Sequence, residues 1–373
     1  MRLILAVVCL VITAFRPVTA DESGDVRLTL PPAVYAIPGG EFSIWFDNIV
    51  LSQSSDVLQF HVTCDVGENR DDRWTVVPAS DHVGDHSLSV RVSDLTGKAL
   101  AEATTVLKVV PASAGAGQSI RMLIIGDSLT HASVWPNETA GWLSRPDNPR
   151  WSMLGTHRPA SAAEGVSHEG YGGWTWSRFV THYEPDPDGT YRKRSSPFVF
   201  LNDQQKPELD LEKYFRDSAA GQRPDYVIIM LGINDCFGAP PDDAAEMDAR
   251  IDQMFSHADS LLNALRVAAP RAQIGVCLTT PPNSRQAAFE ANYQERYTRW
   301  GWKRIQHRLV QRQIRYISER NDPMITVVPT ELNLDPVDGY PDNNAVHPNS
   351  TGYRQIGAAV YYWLKWRLSQ RGE

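Results

Sequence analysis

Cysteine is scarce in this chain: four residues in 373. Cys9 lies in an N-terminal apolar run, which leaves Cys64, Cys236 and Cys277, an odd number that sets up no disulfide framework. One bridge, Cys236–Cys277, stays open because both residues fall near expected strand ends; three buried thiols are the other reading. No Cys/His spacing matches a zinc site, so no metal is expected. Positive charge is short as well. Lys and Arg number 36 against 44 Asp and Glu, a net charge of −8. With no basic surplus to neutralise phosphates, nucleic acid is not an expected partner. After residue 20 no apolar run is long enough for an integral membrane segment.

Residues 1–20 read as a signal peptide. Arg2 gives the positive start, Leu3 to Phe15 the apolar core, and Val18-Thr19-Ala20 a small-residue cleavage site. The product is expected to be secreted, in the periplasm or outside the cell. Residues 21–111 then read as a β domain. Short β-branched and aromatic runs at Phe42 to Phe46, Val57 to Cys64, Ser87 to Val92 and Ala101 to Val110 are separated by turn residues such as Asp94-Leu-Thr-Gly97. They suggest a small all-β, immunoglobulin-like sandwich. Trp45 and Trp74 could stack on sugars, with core packing the commoner fate. Residues 112–119 (ASAGAGQS) form a small-residue linker.

Residues 120–373 change character. Continuous apolar runs at Ile120 to Ile125, Pro224 to Leu231, Ala272 to Leu278 and Met324 to Val328 alternate with helical patterns. In one of these Met247, Ile251, Met254, Phe255, Ala258, Leu261, Leu262 and Leu265 recur at helical spacing. A last helix spans about Ser350 to Leu368. Strands that are apolar throughout belong to a parallel sheet covered on both faces, an α/β class. Trp135 to Gln222 reads as a long irregular insert shaping a cleft, with one strand near Glu164 to His168.

Four short blocks fall at strand ends or helix starts. They are Gly126-Asp127-Ser128-Leu129-Thr130, Gly170-Tyr-Gly-Gly173-Trp174-Thr175, Gly232-Ile233-Asn234-Asp235 and Val346-His347-Pro348-Asn349. Together, and in this order, they resemble the SGNH, or GDSL-type, esterase and lipase family over about residues 120–368. The resemblance implies a three-layer α/β/α, flavodoxin-like domain with a parallel sheet. It implies Ser128 as nucleophile and His347 as general base. The oxyanion hole would be the Ser128 and Gly173 backbone N–H groups and the Asn234 amide, with Gly172 the alternative to Gly173. No cofactor is required by such a mechanism.

The chain departs from the family in one place. Three residues before the His, where Asp is usual, stands Asn344. Asn344, Asp342 or a backbone carbonyl could orient His347; Asn344 or a carbonyl is favoured. His131 and His168 read as structural histidines near the cleft. Trp174 and Trp176 are divided evenly between holding substrate and packing. Asp127 and Asp235 read as loop-fixing carboxylates. Asn137 and Asn349 match the glycosylation pattern. The expected partner is an acylated carbohydrate, most simply an O-acetyl ester, or another small ester. A lipase or lysophospholipase, and a catalytically weak carbohydrate-binding protein, are the alternatives.

Overall fold

The computed structural model describes residues 26–370; the expected signal peptide lies outside the described residues. A six-stranded parallel sheet forms the centre of the larger part. Its order runs Arg150–Leu154, Ser119–Gly126, Tyr226–Met230, Gln273–Cys277, Ile325–Val328, with the short Glu169–Gly170 strand beside the end of Ser119–Gly126. Numbered along the chain, the five main strands lie in the order 2-1-3-4-5, the flavodoxin-like arrangement. The switch point falls between Ser119–Gly126 and Tyr226–Met230, and both carboxyl ends open there.

The periodicity explains the layers. All five residues of Tyr226–Met230 are buried, which requires cover on both faces. Each fully buried Val or Ile in such a strand contributes about 1.5–3 kcal/mol. Helices Val134–Leu143 and Ser350–Ser369 pack on each other. Helices Ala244–Ala268 and Arg299–Glu319 form a second pair. All eight residues singled out in helix Ala244–Ala268 are buried, and Asp243 caps its start by accepting from the Glu246 N–H. The expected irregular insert is more ordered than its composition suggests. It holds helices Val134–Leu143, Trp176–Thr181 and Leu211–Ser218. Its sheet strands are the two-residue Glu169–Gly170, just past the expected Glu164 to His168, and Arg150–Leu154, which the sequence did not announce. The sequence hides that strand because it lies at the sheet edge, with only Met153 and Leu154 buried.

The N-terminal part consists of separate small sheets. Arg27–Leu28 pairs with Val50–Leu51; of the two larger sheets, one has the order Ala33–Ala36, Ala99–Val109, Gly84–Asp94, Leu58–Thr63, the other Phe42–Trp45, Arg73–Val76, Glu68–Asn69. Asn69 ties the two together: its amide donates to the Val62 carbonyl and accepts from the Val62 N–H. Leu88, Val90 and Val92 all point inward, as alternation requires. Trp74 is core, 1% exposed, and Trp45 lies beneath the Arg73 guanidinium.

This β layer is sutured to the α/β part. The Ser43 N–H donates to Asn333, and the Asn48 amide donates to the Glu331 and Leu334 carbonyls. Asp47 takes ion pairs from Arg299 and Lys303 and a hydrogen bond from Ser284. Burial works against ionisation of Asp47, but the Lys303 and Arg299 charges outweigh it and hold the carboxyl below its ordinary range. Tyr35 stacks on Trp366 at 4.6 Å, and Tyr362 donates to the Glu41 carbonyl. Cys236 and Cys277 are both buried free thiols, so no bridge joins them. Cys236 packs on the Met254 sulfur in the helical layer, while Cys277 ends a central strand.

Candidate active site

The first strand ends in Gly126, where a Cβ would collide with the Thr130 side chain. That close approach lets the chain turn at once into the short helix Ser128–His131. Asp127 fixes the turn by accepting from the Leu129 N–H at 3.0 Å. Ser128 is thereby held at the first helical position, where N–H groups face outward and favour negative charge.

His347 reaches the same point from the other end of the chain. Its Nε2 lies 2.9 Å from Ser128 Oγ. Its Nδ1 lies 3.3 Å from Asn344 Oδ1, which also accepts from the Val346 and His347 N–H groups. Asp342 is elsewhere: its side chain is 90% exposed and pairs with Arg285. Among the described residues no backbone carbonyl takes its place at Nδ1. Burial holds the His347 imidazole below its ordinary pKa, and no carboxylate offsets that burial.

Asn234 lines the same cleft as Ser128 and His347, and the Gly172-Gly173 turn precedes the Trp174 carbonyl that Asn234 holds. Gly173 adopts a φ of +77°, a left-handed conformation that glycine tolerates, with open space where a Cβ would project. Gly172, by contrast, faces the Tyr191 ring. Neither the Ser128 nor the Gly173 N–H is taken by another described residue. Asn234 sits at the switch point after Tyr226–Met230. Its amide donates one hydrogen to the Trp174 carbonyl at 3.0 Å, leaving the other free. Asp235 accepts from the Trp176 N–H at 3.2 Å and so binds the two turns together. Burial pushes Asp127 up to about 7, and burial together with the Asp127 charge does the same for Asp235.

The other residues singled out in the sequence fall outside the reacting centre. Trp174 and Trp176 are 0% and 2% exposed and pack in the core, so neither can stack on a sugar. His168 is buried between Ser133 Oγ and the Gly170 N–H, and burial lowers its pKa to about 3. His131 stacks on His157 at 4.7 Å. Asn137 holds Ser161 and Ala163, and Asn349 caps the last helix while donating to Asp338, so both amides are engaged within the fold.

Sequence reasoning missed one wall. A cleft of about 380 Å³ over Ser128, Asn234 and His347 is also lined by Phe237, Tyr293, Arg296 and Tyr297. The three rings pack edge to face or tilted, with centroids 4.5 to 5.3 Å apart. Tyr293 ends helix Gln286–Tyr293, Arg296 and Tyr297 follow it, and Phe237 directly follows helix Ile233–Cys236. The only signal was two tyrosines and an arginine in five residues, with no apolar period to mark them as core.

The arrangement pairs a hydroxyl with an imidazole in a cleft that the Asn234 amide also lines, the kind of equipment acyl transfer uses. The GDSL-like Lipase/Acylhydrolase family matches the chain over residues 124–355. No curated protein matches it. Among solved structures, an acetyl esterase variant with an acetate ion is 18% identical, covering 68% of this chain and 99% of its own, with a TM-score of 0.40. A family two carbohydrate esterase from Clostridium thermocellum, in complex with cellohexaose, is 14% identical over 90% of this chain and 94% of its own, with a TM-score of 0.36. An aryl esterase of M. smegmatis is 19% identical over 66% of this chain and 99% of its own, with a TM-score of 0.34.

Proposed function

Because the chain belongs to the GDSL-like lipase/acylhydrolase family, we propose that it is a serine esterase removing short acyl groups, O-acetyl above all, from carbohydrate. One observation carries the esterase reading: Ser128 Oγ and His347 Nε2 lie 2.9 Å apart in a cleft that Asn234 also lines. Ser128 attacks the ester carbonyl while His347 Nε2 takes its proton. The oxyanion forms against the Ser128 and Gly173 N–H groups and the Asn234 amide. His347 then protonates the departing alcohol. Water, deprotonated by the same nitrogen, releases the acid and restores Ser128. Asn344 keeps the imidazole in the tautomer that leaves Nε2 free to accept.

The carbohydrate reading rests on the cleft. About 380 Å³ suits a short acyl group and part of a sugar ring better than a long chain. The Phe237, Tyr293 and Tyr297 rings offer flat faces of the kind that sugars stack on. A leader at residues 1–20 would deliver the enzyme outside the cytoplasm, where such polymers lie.

The test is hydrolysis of 4-nitrophenyl acetate by the wild type and Ser128→Ala. The variant is expected to lose about 10³-fold or more in kcat, and equal rates would overturn the nucleophile. Acetate release from acetylated polysaccharide tests the substrate. Rapid hydrolysis of long-chain esters with no such release would point to a lipase instead.

A further inference from the structure

The charge within the cleft is lopsided. Its lining has no carboxylate, and its one fully charged side chain is Arg296, in a protein of net charge −8. Arg296 is also unlike its neighbours. From residue 285 to 320 the chain carries seven other arginines, at 285, 299, 304, 308, 312, 315 and 320, and each is ion-paired with an Asp or Glu. Arg296 has no carboxylate partner among the described residues. Its guanidinium lies over the Tyr297 ring, 5.1 Å from the centroid, and its side chain is exposed. The Tyr293 and Tyr297 hydroxyls likewise have no hydrogen-bond partner among the described residues.

A guanidinium left unpaired among aromatic faces is a ready partner for a planar carboxylate, which it can hold with two parallel hydrogen bonds. Backing by an aromatic ring limits its motion and its hydration on one side. The neighbouring hydroxyls can reach the oxygens of a pyranose. We propose that Arg296, Tyr293 and Tyr297 form a subsite for a carboxylate-bearing sugar, so that the preferred substrate is an O-acylated uronic acid unit. The inference rests on the esterase reading above and narrows its alcohol to an anionic saccharide. The carboxylate belongs to the sugar, not to the acyl group, because the acyl carbonyl must lie against the oxyanion donors on Ser128, Gly173 and Asn234. Arg296 lines the cleft with the tyrosines rather than with those donors, so it is assigned to the alcohol.

The test compares two matched pairs of substrates at equal ionic strength, with the wild type, Arg296→Gln and Arg296→Lys. The first pair is an acetylated oligogalacturonide and an acetylated xylo-oligosaccharide of the same length. The second is 4-nitrophenyl hemisuccinate and 4-nitrophenyl acetate, which moves the carboxylate to the acyl side. The wild type is expected to favour the acetylated galacturonide in kcat/KM, and the ratio within the first pair should fall about tenfold in Arg296→Gln, mainly through KM. Arg296→Lys should keep part of the preference, and added salt should erode it. A first-pair ratio that is the same in the wild type and Arg296→Gln overturns the subsite. A preference for hemisuccinate that Arg296→Gln removes assigns the carboxylate to the acyl group and overturns the sugar assignment. If no ester is hydrolysed, 4-nitrophenyl acetate included, it is the esterase reading that fails.

Discussion

His347 Nδ1 faces Asn344 Oδ1 at 3.3 Å, so an uncharged amide stands where a carboxylate would stabilise the imidazolium. Burial already disfavours that cation. Catalysis by Nε2 needs the neutral ring, so activity should rise as pH climbs through a His347 pKa below the ordinary 6.5. In Asn344→Asp the new carboxylate would favour the protonated ring, and the acid limb of kcat/KM should move to higher pH by about one unit. Asp342→Ala should leave that limb in place, since Asp342 faces solvent and Arg285. A limb that moved in Asp342→Ala and stayed in Asn344→Asp would reverse the two roles.

The loop carrying His347 hangs on Asn283, which is fully buried. Its amide donates to the Pro341 carbonyl at 2.9 Å and the Asn344 carbonyl at 3.0 Å, while its oxygen accepts from the Arg285 N–H. Asn283→Ala leaves the Asn344 carbonyl without a donor and the Pro341 carbonyl with only the Asn344 N–H at 3.4 Å, and should cost about 2 kcal/mol of stability. Well below the melting transition, kcat should fall with little change in KM, because the imidazole drifts from Ser128 while the cleft walls stay in place. Denaturant titration and steady-state kinetics separate the two effects, and an unchanged kcat would deny Asn283 its hold on the histidine.

Glu331 lies in the seam between the β layer and the α/β part, with neither carboxylate oxygen bonded to another described residue. Burial pushes its pKa up to about 8. The unfolded chain releases this proton near the ordinary carboxylate value, but the folded protein keeps it until about 8. Stability should therefore decline as pH rises through that interval, because the unfolded state binds fewer protons. Glu331→Gln cannot ionise and loses this slope. Its melting temperature should gain on the wild type steadily from pH 5 to pH 8. Parallel curves across that range would show that Glu331 does not titrate there.

The parts of the site visible in the sequence are those where one local cause fixes both structure and chemistry. Gly126-Asp127-Ser128 follows an apolar strand and must turn, so its position on the sheet edge can be read from adjacent residues. Asn234 is legible for the same reason. Arg296, Tyr293 and Tyr297 are not, because nothing in their own segment places them over a serine 168 positions earlier in the case of Arg296. Trp174 and Trp176 mislead in the opposite direction. A glycine-rich turn with two tryptophans looks like a cleft, yet Tyr171, Phe179 and Arg178 enclose the Trp174 ring. The choice between Asn344 and Asp342 was open in sequence because the two lie two residues apart, and only the turn made by the Asn344 side chain decides which one faces inward.

The stacking of Tyr35 on Trp366 also sets an order of events. These rings stand near opposite extremities of the chain, and the Tyr362 hydroxyl meets the Glu41 carbonyl in the same seam. Contacts between such distant segments carry the largest loop-closure entropy and form late. The Tyr35 face of the β layer rests on helix Ser350–Ser369, 331 positions further along the chain in the case of Trp366. That helix is thus a clasp. It packs at once on the central strands Gln273–Cys277 and Ile325–Val328 and on Ala33–Ala36 of the β layer, so a change in its buried face is felt by both parts together.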